Sequence, residues 1–263
     1  MKQFTKVVII ISSIFIVIGL TSFFIGLIFG VNSRENDLKN NIDFSRVYYG
    51  VYSLDINLNF GELIIKEGDE FEVVASNIIK NRFRSELDNG TLFIEGNKRQ
   101  QDFFSSLLTR IVDGSIFFKT TPKIIVYIPN EINFNEVNLV IGAGATEIDK
   151  INTKKLNVKV GTGSLMINNL YSKNSIINCG VGNVTINGIM LGNNEVECGI
   201  GSVIINVDGK KENYNYTYSV GIGSVTINEK TYSGVVNGKI DNSAKNNFNI
   251  NCGIGNTIIK VKE

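Results

Sequence analysis

Few residues in this chain could carry chemistry. It has 263 residues, with no histidine and no tryptophan. Without histidine, Ser-His-Asp and Cys-His catalytic arrangements cannot form, and histidine metal sites are excluded as well. The acidic residues are scattered, but Glu195 and Glu197 lie two apart on one expected outward strand face. Paired carboxylates perform glycoside hydrolysis, so a polysaccharide-acting enzyme is an alternative hypothesis. Our main prediction has no catalytic residue, no cofactor and no metal.

Three cysteines, Cys179, Cys198 and Cys252, come directly before Gly-x-Gly elements. In a stack of strands, Cys179 and Cys198 would lie one strand apart, with Cα atoms ~5 Å from each other and so within range of a disulfide. The alternative is that each cysteine is a small buried hydrophobic residue, because valine takes the same position before other Gly-x-Gly elements. We expect free, buried thiols, because stacked parallel side chains rarely meet disulfide torsion angles.

Tyrosines cluster between residues 214 and 232. Tyr214, Tyr216 and Tyr232, together with Tyr218, either pack this segment or form a patch that binds sugar or protein. Packing is the plainer interpretation. Tyr214, Tyr216 and Tyr232 are the candidate partner surface.

One short phrase recurs from residue 138 to residue 263 and must position these residues. Six copies consist of Gly-x-Gly and a run such as Val-Thr-Ile-Asn, and their first glycines are separated by 19, 19, 19, 22 and 32 residues. A fixed period near twenty residues with β-rich content predicts a solenoid. The repeat glycines are Gly142, Gly144, Gly161, Gly163, Gly180, Gly182, Gly199, Gly201, Gly221, Gly223, Gly253 and Gly255.

Apolar residues alternate on both sides of each Gly-x-Gly element, which predicts two short, half-buried strands per coil. Glycine permits backbone angles that a Cβ resists, so the element itself predicts a bend or bulge between the strands. The expected inward residues before the element are Leu139, Val158, Ile177, Val196, Tyr218 and Ile250, and then Ile141, Val160, Val220 and the three cysteines.

The predicted fold is therefore all-β: a parallel β-solenoid with coils of about 19–22 residues, stacked at the ~4.8 Å strand spacing. The segment from Phe60 to Ile65 looks like a degenerate first copy. An asparagine that recurs after the second strand of each coil should form a ladder, through Asn168, Asn187, Asn206 and Asn228. A strand after each glycine pair argues against a dinucleotide site, which needs a helix there. The net charge of +1 offers no argument for nucleic acid.

An uncharged segment from Val7 to Val31 is long enough to cross a bilayer once as a helix. It lacks the cleavage site of a signal peptide, so we predict a signal anchor: residues 1–31 comprise a cytoplasmic tip and a transmembrane helix. Residues 32–46 are predicted to be a polar stalk. The flanking basic residues do not decide the orientation.

Residues 47–137 are predicted to be a strand-rich region that precedes the repeats at 138–263. Its expected strands cover residues 51–58, 62–66, 71–75, 91–95 and 123–128. An amphipathic helix is predicted at residues 102–112, because six apolar residues there have helical spacing: Phe103, Phe104, Leu107, Leu108, Ile111 and Val112. It either caps an open solenoid end or docks on a membrane or partner helix.

The segment from Lys123 to Asn130 ends a strand in Ile-Pro-Asn just before the Gly-x-Gly coils. Residues 47–263 thereby resemble the bacterial candidate-adhesin family, whose β-strand-repeat domain has no assigned function. The resemblance implies an envelope protein with a β-solenoid ectodomain, frequently of Gram-positive bacteria, and in some relatives a link to envelope-stress sensing. It brings no catalytic motif, and it favours a solenoid outside the cell.

The resulting hypothesis is a non-catalytic protein of the cell membrane, single-pass, with an extracellular C-terminal domain that binds an envelope protein or a cell-wall polymer. One alternative is the polysaccharide-acting β-helix enzyme. The other is a self-assembling envelope module, in which the C-terminal coil, ending at residues 259–261 with no evident cap, pairs with a second molecule through its edge.

Overall fold

The computed structural model describes residues 41–96 and 121–262, and this part of the chain is almost entirely β-strand. Two short 3₁₀ turns, Lys80–Arg82 and Lys211–Asn213, interrupt it. The strands are β1 (Asn41–Val47), β2 (Ser53–Glu67), β3 (Glu72–Ile79), β4 (Arg84–Asp88), β5 (Thr91–Gly96), β6 (Lys123–Ile128), β7 (Phe134–Val160), β8 (Ser164–Ser172), β9 (Ser175–Cys179), β10 (Asn183–Met190), β11 (Asn193–Cys198), β12 (Ser202–Asp208), β13 (Tyr214–Val220), β14 (Ser224–Ile227), β15 (Lys230–Ser233), β16 (Val236–Ile240), β17 (Asn246–Cys252) and β18 (Asn256–Lys262).

Alternation along these strands places one side chain in two inside the molecule. The predicted inward residues before the Gly-x-Gly elements are all at most 7 % exposed, from Leu139 to Ile250 in one column and from Ile141 to Cys252 in the next. The strands predicted between residues 51 and 128 are also present, as β2, β3, β5 and β6. The all-β, solenoid-like character predicted from the period-two pattern is therefore confirmed.

The strands form two ladders. Ladder A contains the strands before each Gly-x-Gly element, in the order β4, β5, β2, β7, β9, β11, β17, β13 and β16, with β7 crossing it twice. Ladder B contains the strands after the element, in the order β1, β3, β6, β2, β7, β8, β10, β12, β18, β14 and β15. Within both ladders the central pairings are parallel, as in a solenoid.

The degenerate first copy takes its predicted place. Phe60 and Gly61 lie opposite Ala143 and Gly144, in register with the first Gly-x-Gly element. The strand β7 runs without interruption across residues 137 and 138, where the two predicted regions meet. Both regions are thus parts of one continuous stack.

The order of the coils departs from the order of the sequence at the end of the chain. β17 lies between β11 and β13, and β18 lies between β12 and β14. The sixth copy of the repeat is therefore inserted between the fourth and the fifth. The prediction that the C-terminal coil has a free edge is wrong, because its strands are hydrogen-bonded on both sides.

Antiparallel strands end both ladders at the far side of the fifth copy. β15 pairs antiparallel with β14, and β16 pairs antiparallel with β13. These two strands lie within the 32 residues that separate the fifth and sixth first glycines, and they are the cap that the sequence pattern did not show. At the other end, β4 is antiparallel to β5, and β3 to β6.

Several predictions concern residues outside the described ranges. The transmembrane helix within residues 1–31, the stalk up to residue 40 and the amphipathic helix at 102–112 all lie there. Residues 41–46, predicted as the end of the stalk, instead belong to β1, where Ile42 and Phe44 pack against the core on alternate positions. Within 41–96 and 121–262, no helix is both long enough and apolar enough to span a membrane.

Candidate functional site

The Gly-x-Gly elements stack into one corner of the coils, the glycine corner, which contains the twelve repeat glycines. From the second copy onward, the middle residue of each element donates its N–H to the carbonyl oxygen of the first glycine in a neighbouring coil, as from Ile200 to Gly180 (2.8 Å) and from Ile254 to Gly199 (2.8 Å). A Cβ added to any first glycine would lie 2.5–2.9 Å from a carbonyl oxygen of that coil. Glycine is required at these positions because the backbones of adjacent coils approach so closely that they leave no room for a Cβ.

The chain bends at five of the six elements, as predicted, whereas the first element lies inside the unbroken strand β7. The expected cause of the bend is wrong at most positions. Among the twelve repeat glycines, only Gly144 has a φ in the left-handed region, at 132°. The other glycines adopt angles open to any residue and are selected by the space between coils.

The predicted asparagine ladder is present only in part. Asn206 donates its side-chain amide to Asn187 Oδ1 at 2.8 Å. Asn168 does not continue this ladder, because the register of β8 and β10 shifts between Ile186 and Gly188. Asn228 is separated from it by the inserted C-terminal coil, and its Oδ1 accepts the N–H of Val261.

A longer asparagine ladder lies where the chain enters the ladder A strands. It consists of Asn174, Asn193, Asn247 and Asn215, in four successive coils. The Asn193 N–H donates to Asn174 Oδ1 (3.1 Å), the Asn247 amide donates to Asn193 Oδ1 (3.1 Å), and the Asn215 amide donates to Asn247 Oδ1 (3.0 Å). Sequence reasoning missed it, although Lys155, Asn174 and Asn193 are spaced by 19 residues. Asn247 belongs to the displaced last coil.

A groove of about 390 Å³ follows this ladder on the outward face of ladder A. Its lining combines three residues of the ladder with four neighbours of mixed chemistry: Asn174, Asn193 and Asn247 with Lys155, Ile176, Glu195 and Asn249. Five of the nine residues that line the groove are asparagines, whose amide groups donate and accept hydrogen bonds without net charge.

Asn194 also lines the groove and has an unpaired polar atom. The residue is 2 % exposed, and its amide nitrogen donates to the carbonyls of Leu191 and Asn247, both at 3.3 Å. Its Oδ1 has no hydrogen-bond partner among the described residues. Alternation along β11 places the Asn194 side chain on the inward face with Val196 and Cys198, so this unpaired acceptor does not face the outward groove.

The carboxylates do not form a catalytic pair in this groove. Glu195 lines it, whereas Glu197 occupies the next outward position of β11 and is absent from the groove wall. Glycoside hydrolysis needs two carboxyl groups that flank the bond to be cleaved. Lys155, the basic residue in the groove lining, has its Nζ paired with Glu136 at 3.0 Å.

The tyrosines predicted as a partner surface are mostly core residues. Tyr214 and Tyr216 are 2 % and 1 % exposed and pack on the Phe248 ring, at centroid distances of 5.6 and 5.9 Å. That part of the prediction is wrong, because β13 and β17 are neighbours and turn these rings inward together. Tyr232 is half-buried, and its ring packs at a tilt against that of Tyr218, with 4.2 Å between the ring centroids. Burial raises the pKa of Tyr216 to about 12, and the nearby Asn228 side chain offsets only part of this shift.

The cysteines are free, buried thiols that bond to the glycine corner. The three thiols donate to the second glycine carbonyl of their own coils: Cys179 to Gly182, Cys198 to Gly201 and Cys252 to Gly255, at 3.0–3.2 Å. A hydrogen bond between the neighbouring Cys179 and Cys198 thiols shifts their pKa values in opposite directions. It lowers the pKa of Cys179, because the Cys198 S–H stabilises a Cys179 thiolate, and it raises the pKa of Cys198. Burial raises the pKa of Cys252. In the described ranges, no three metal-ligating side chains converge.

Comparison with known proteins gives one family match. The sequence model of the toastrack DUF4097 family matches residues 51–253. No curated protein matches the chain.

Three solved structures are similar at low identity. A candidate cell adhesion protein from Clostridium sporogenes has 17% identity and a TM-score of 0.40, with 84% of this chain and all of that chain covered. A candidate adhesin from Bacteroides fragilis has 12% identity and a TM-score of 0.37, covering 84% and 97%. A candidate lipid-binding protein from Parabacteroides distasonis has 14% identity and a TM-score of 0.41, covering 85% and 97%.

Proposed function

The chain belongs to the toastrack DUF4097 family, and from this premise we propose that it is a non-catalytic, adhesin-like binding protein of the cell surface. Its proposed ligand is an uncharged cell-wall or surface polymer rich in hydroxyl groups. The proposed anchor is the apolar segment Val7–Val31, crossing the membrane once, with the solenoid-like domain outside.

The observation that carries the ligand assignment is the amide-lined groove beside the asparagine ladder. Amides spaced by one coil, ~4.8 Å apart, repeat along the stack axis. A polymer of hydroxylated units lying along that axis can meet an amide in each coil. The half-exposed Ile176 offers an apolar contact for the carbon face of such a unit, and the exposed Asn249 amide offers hydrogen bonds to its hydroxyl groups.

The same lining argues against the enzyme alternative. Only Glu195 contributes a carboxylate to the groove, and hydrolysis by paired acids would need a second one across it. The family assignment carries no activity of its own. We therefore assign binding, not turnover, to this face.

Affinity measurements on the full chain test the assignment. Asn249→Ala removes an exposed groove amide whose loss leaves the core intact, and about 0.5–1.5 kcal/mol of binding should disappear with one hydrogen bond, a roughly 2- to 10-fold weaker Kd. Asn251→Ala is the matched control, since Asn251 is exposed on the same strand but outside the groove. Isolated cell-wall polysaccharide is the probe, in a pull-down with quantified bound protein.

Equal binding by Asn249→Ala, Asn251→Ala and the unchanged protein would show that the groove is not the ligand-binding site. Release of new reducing ends from the polymer, abolished by Glu195→Gln, would instead establish the enzyme.

A further inference from the structure

A row of exposed aliphatic side chains runs along the glycine corner. The middle residues of four successive elements are more than half exposed: Val181 (57%), Ile200 (58%), Ile254 (57%) and Ile222 (78%). Val235, at 91%, extends the row by one level, because the turn between β15 and β16 passes across the Gly221–Gly223 element. We call these five residues the aliphatic ridge.

The ridge exists only because of the order of the coils. In the sequence, Ile254 follows Ile222, but in the structure its N–H donates to Gly199 while the Ile222 N–H donates to Gly253. Ile254 thereby fills the level between Ile200 and Ile222. Five levels at ~4.8 Å give an unbroken apolar row about 19 Å long.

The immediate sequence neighbours of the first four ridge residues are small and uncharged on the side of ladder B. Glycines stand on both sides of its first four members, and the next residues are Asn183, Ser202, Asn256 and Ser224. Without bulky neighbours, another surface can approach the backbone closely. The lack of lysine and arginine in these elements gives no attraction to anionic lipid headgroups, which membrane-surface helices use.

We propose that the aliphatic ridge is a self-association surface that docks on the ridge of a second copy of this chain. A partner must offer apolar groups at the spacing of one coil, and a second copy offers the same spacing by construction. The patch is on the order of several hundred Å², which is large for a soluble monomer. Two ridges together approach ~1,200 Å², the low end of specific interfaces, so the dimer is weak in solution.

This proposal replaces the route of self-association that the sequence suggested. The C-terminal coil has no free edge, so strand addition at that coil is closed. The C-terminal coil instead contributes the Ile254 side chain to the aliphatic ridge. A ridge contact is also independent of the groove, which lies on the outward face of ladder A.

Cross-linking of the full chain in intact cells tests the proposal. Ile254 is the middle level, so it meets its own counterpart whether the two copies run parallel or antiparallel. A short bis-maleimide should therefore convert the Ile254→Cys protein to a covalent dimer. Lys173→Cys is the matched control, because Lys173 is exposed in the turn between β8 and β9, at the corner where the chain re-enters ladder A. The native cysteines are 3 % exposed and should stay silent.

Second-site changes separate a specific ridge from general stickiness. Adding Ile200→Ser and Ile222→Ser to Ile254→Cys should cut the dimer yield at least about tenfold, since apolar burial on both copies is lost. Adding Met166→Ser and Ile189→Ser, which remove exposed apolar groups elsewhere, should leave it unchanged.

Equal dimer yields from Ile254→Cys and Lys173→Cys would overturn the proposal. Protection of Ile254→Cys from maleimide by neutral phosphatidylcholine vesicles, without dimer formation, would also overturn it and assign the ridge to a lipid surface.

Discussion

At the scale of single residues, the glycine corner shows how one carbonyl oxygen can decide which side chain is allowed. A Cβ on Gly201 would overlap the carbonyl oxygen of Gly182 and would also lie 3.0 Å from the Cys179 sulfur. Neither group can move freely, because the oxygen belongs to a stacked backbone and the Cys179 thiol donates a hydrogen bond to the Gly182 carbonyl.

Gly201→Ala should therefore separate adjacent coils and cost at least about 3 kcal/mol of unfolding free energy, at the upper end of overpacking effects. Gly234→Ala is the control for backbone strain alone, since a Cβ there meets nothing within 4 Å although φ is +77°. That change should cost only about 1 kcal/mol. Urea unfolding followed by circular dichroism measures both, and equal losses would show that close stacking is not what selects glycine.

At the scale of secondary-structure elements, the inserted last coil is the feature that completes the stack. β17 and β18 pair on one side with the fourth copy and on the other with the fifth. Without them, β13 and β14 would lose their parallel partners and keep only the antiparallel cap strands. Isolated small strand groups of that kind are marginal in water.

Removal of residues 246–263 should therefore expose residues 209–245 to protease while the coils before residue 208 stay resistant. Limited proteolysis with mass spectrometry of the fragments reads this out. A control that lacks only Glu263, outside β18, should behave as the full chain does. Uniform resistance of the shortened protein would mean that the fifth copy can pair directly with the fourth, so that the inserted coil is dispensable.

At the scale of the whole molecule, the proposed location makes a prediction about a residue before the first described strand. Ser33→Cys places one thiol just after the proposed membrane segment. A membrane-impermeant maleimide should label it in intact cells, because the domain is proposed to lie outside. The unchanged protein is the control, since its three thiols are buried. Labelling only after lysis would place the domain in the cytoplasm and would contradict the surface-binding proposal.

Local sequence patterns were enough to predict the class of fold and the residues that face the interior. Alternation of apolar residues is a local property, and it fixes which side chains face inward in each strand. Residues such as Leu139 and Ile250 could therefore be predicted as core. The spacing of 19 residues likewise determined the length of a coil, and the thiols were expected to be buried and free.

Which coils are neighbours depends on long-range strand pairing and could not be predicted from local patterns. The fourth, fifth and sixth elements all read Gly-Ile-Gly, so each could stack on either of the others with similar contacts. The choice depends on the connections and on the antiparallel closure by β15 and β16, which are non-local. The groove, the asparagine ladder and the aliphatic ridge all require Asn247 or Ile254 in an interior level. No local pattern could place them there, because strand pairing between distant segments is set by the packing of the entire stack.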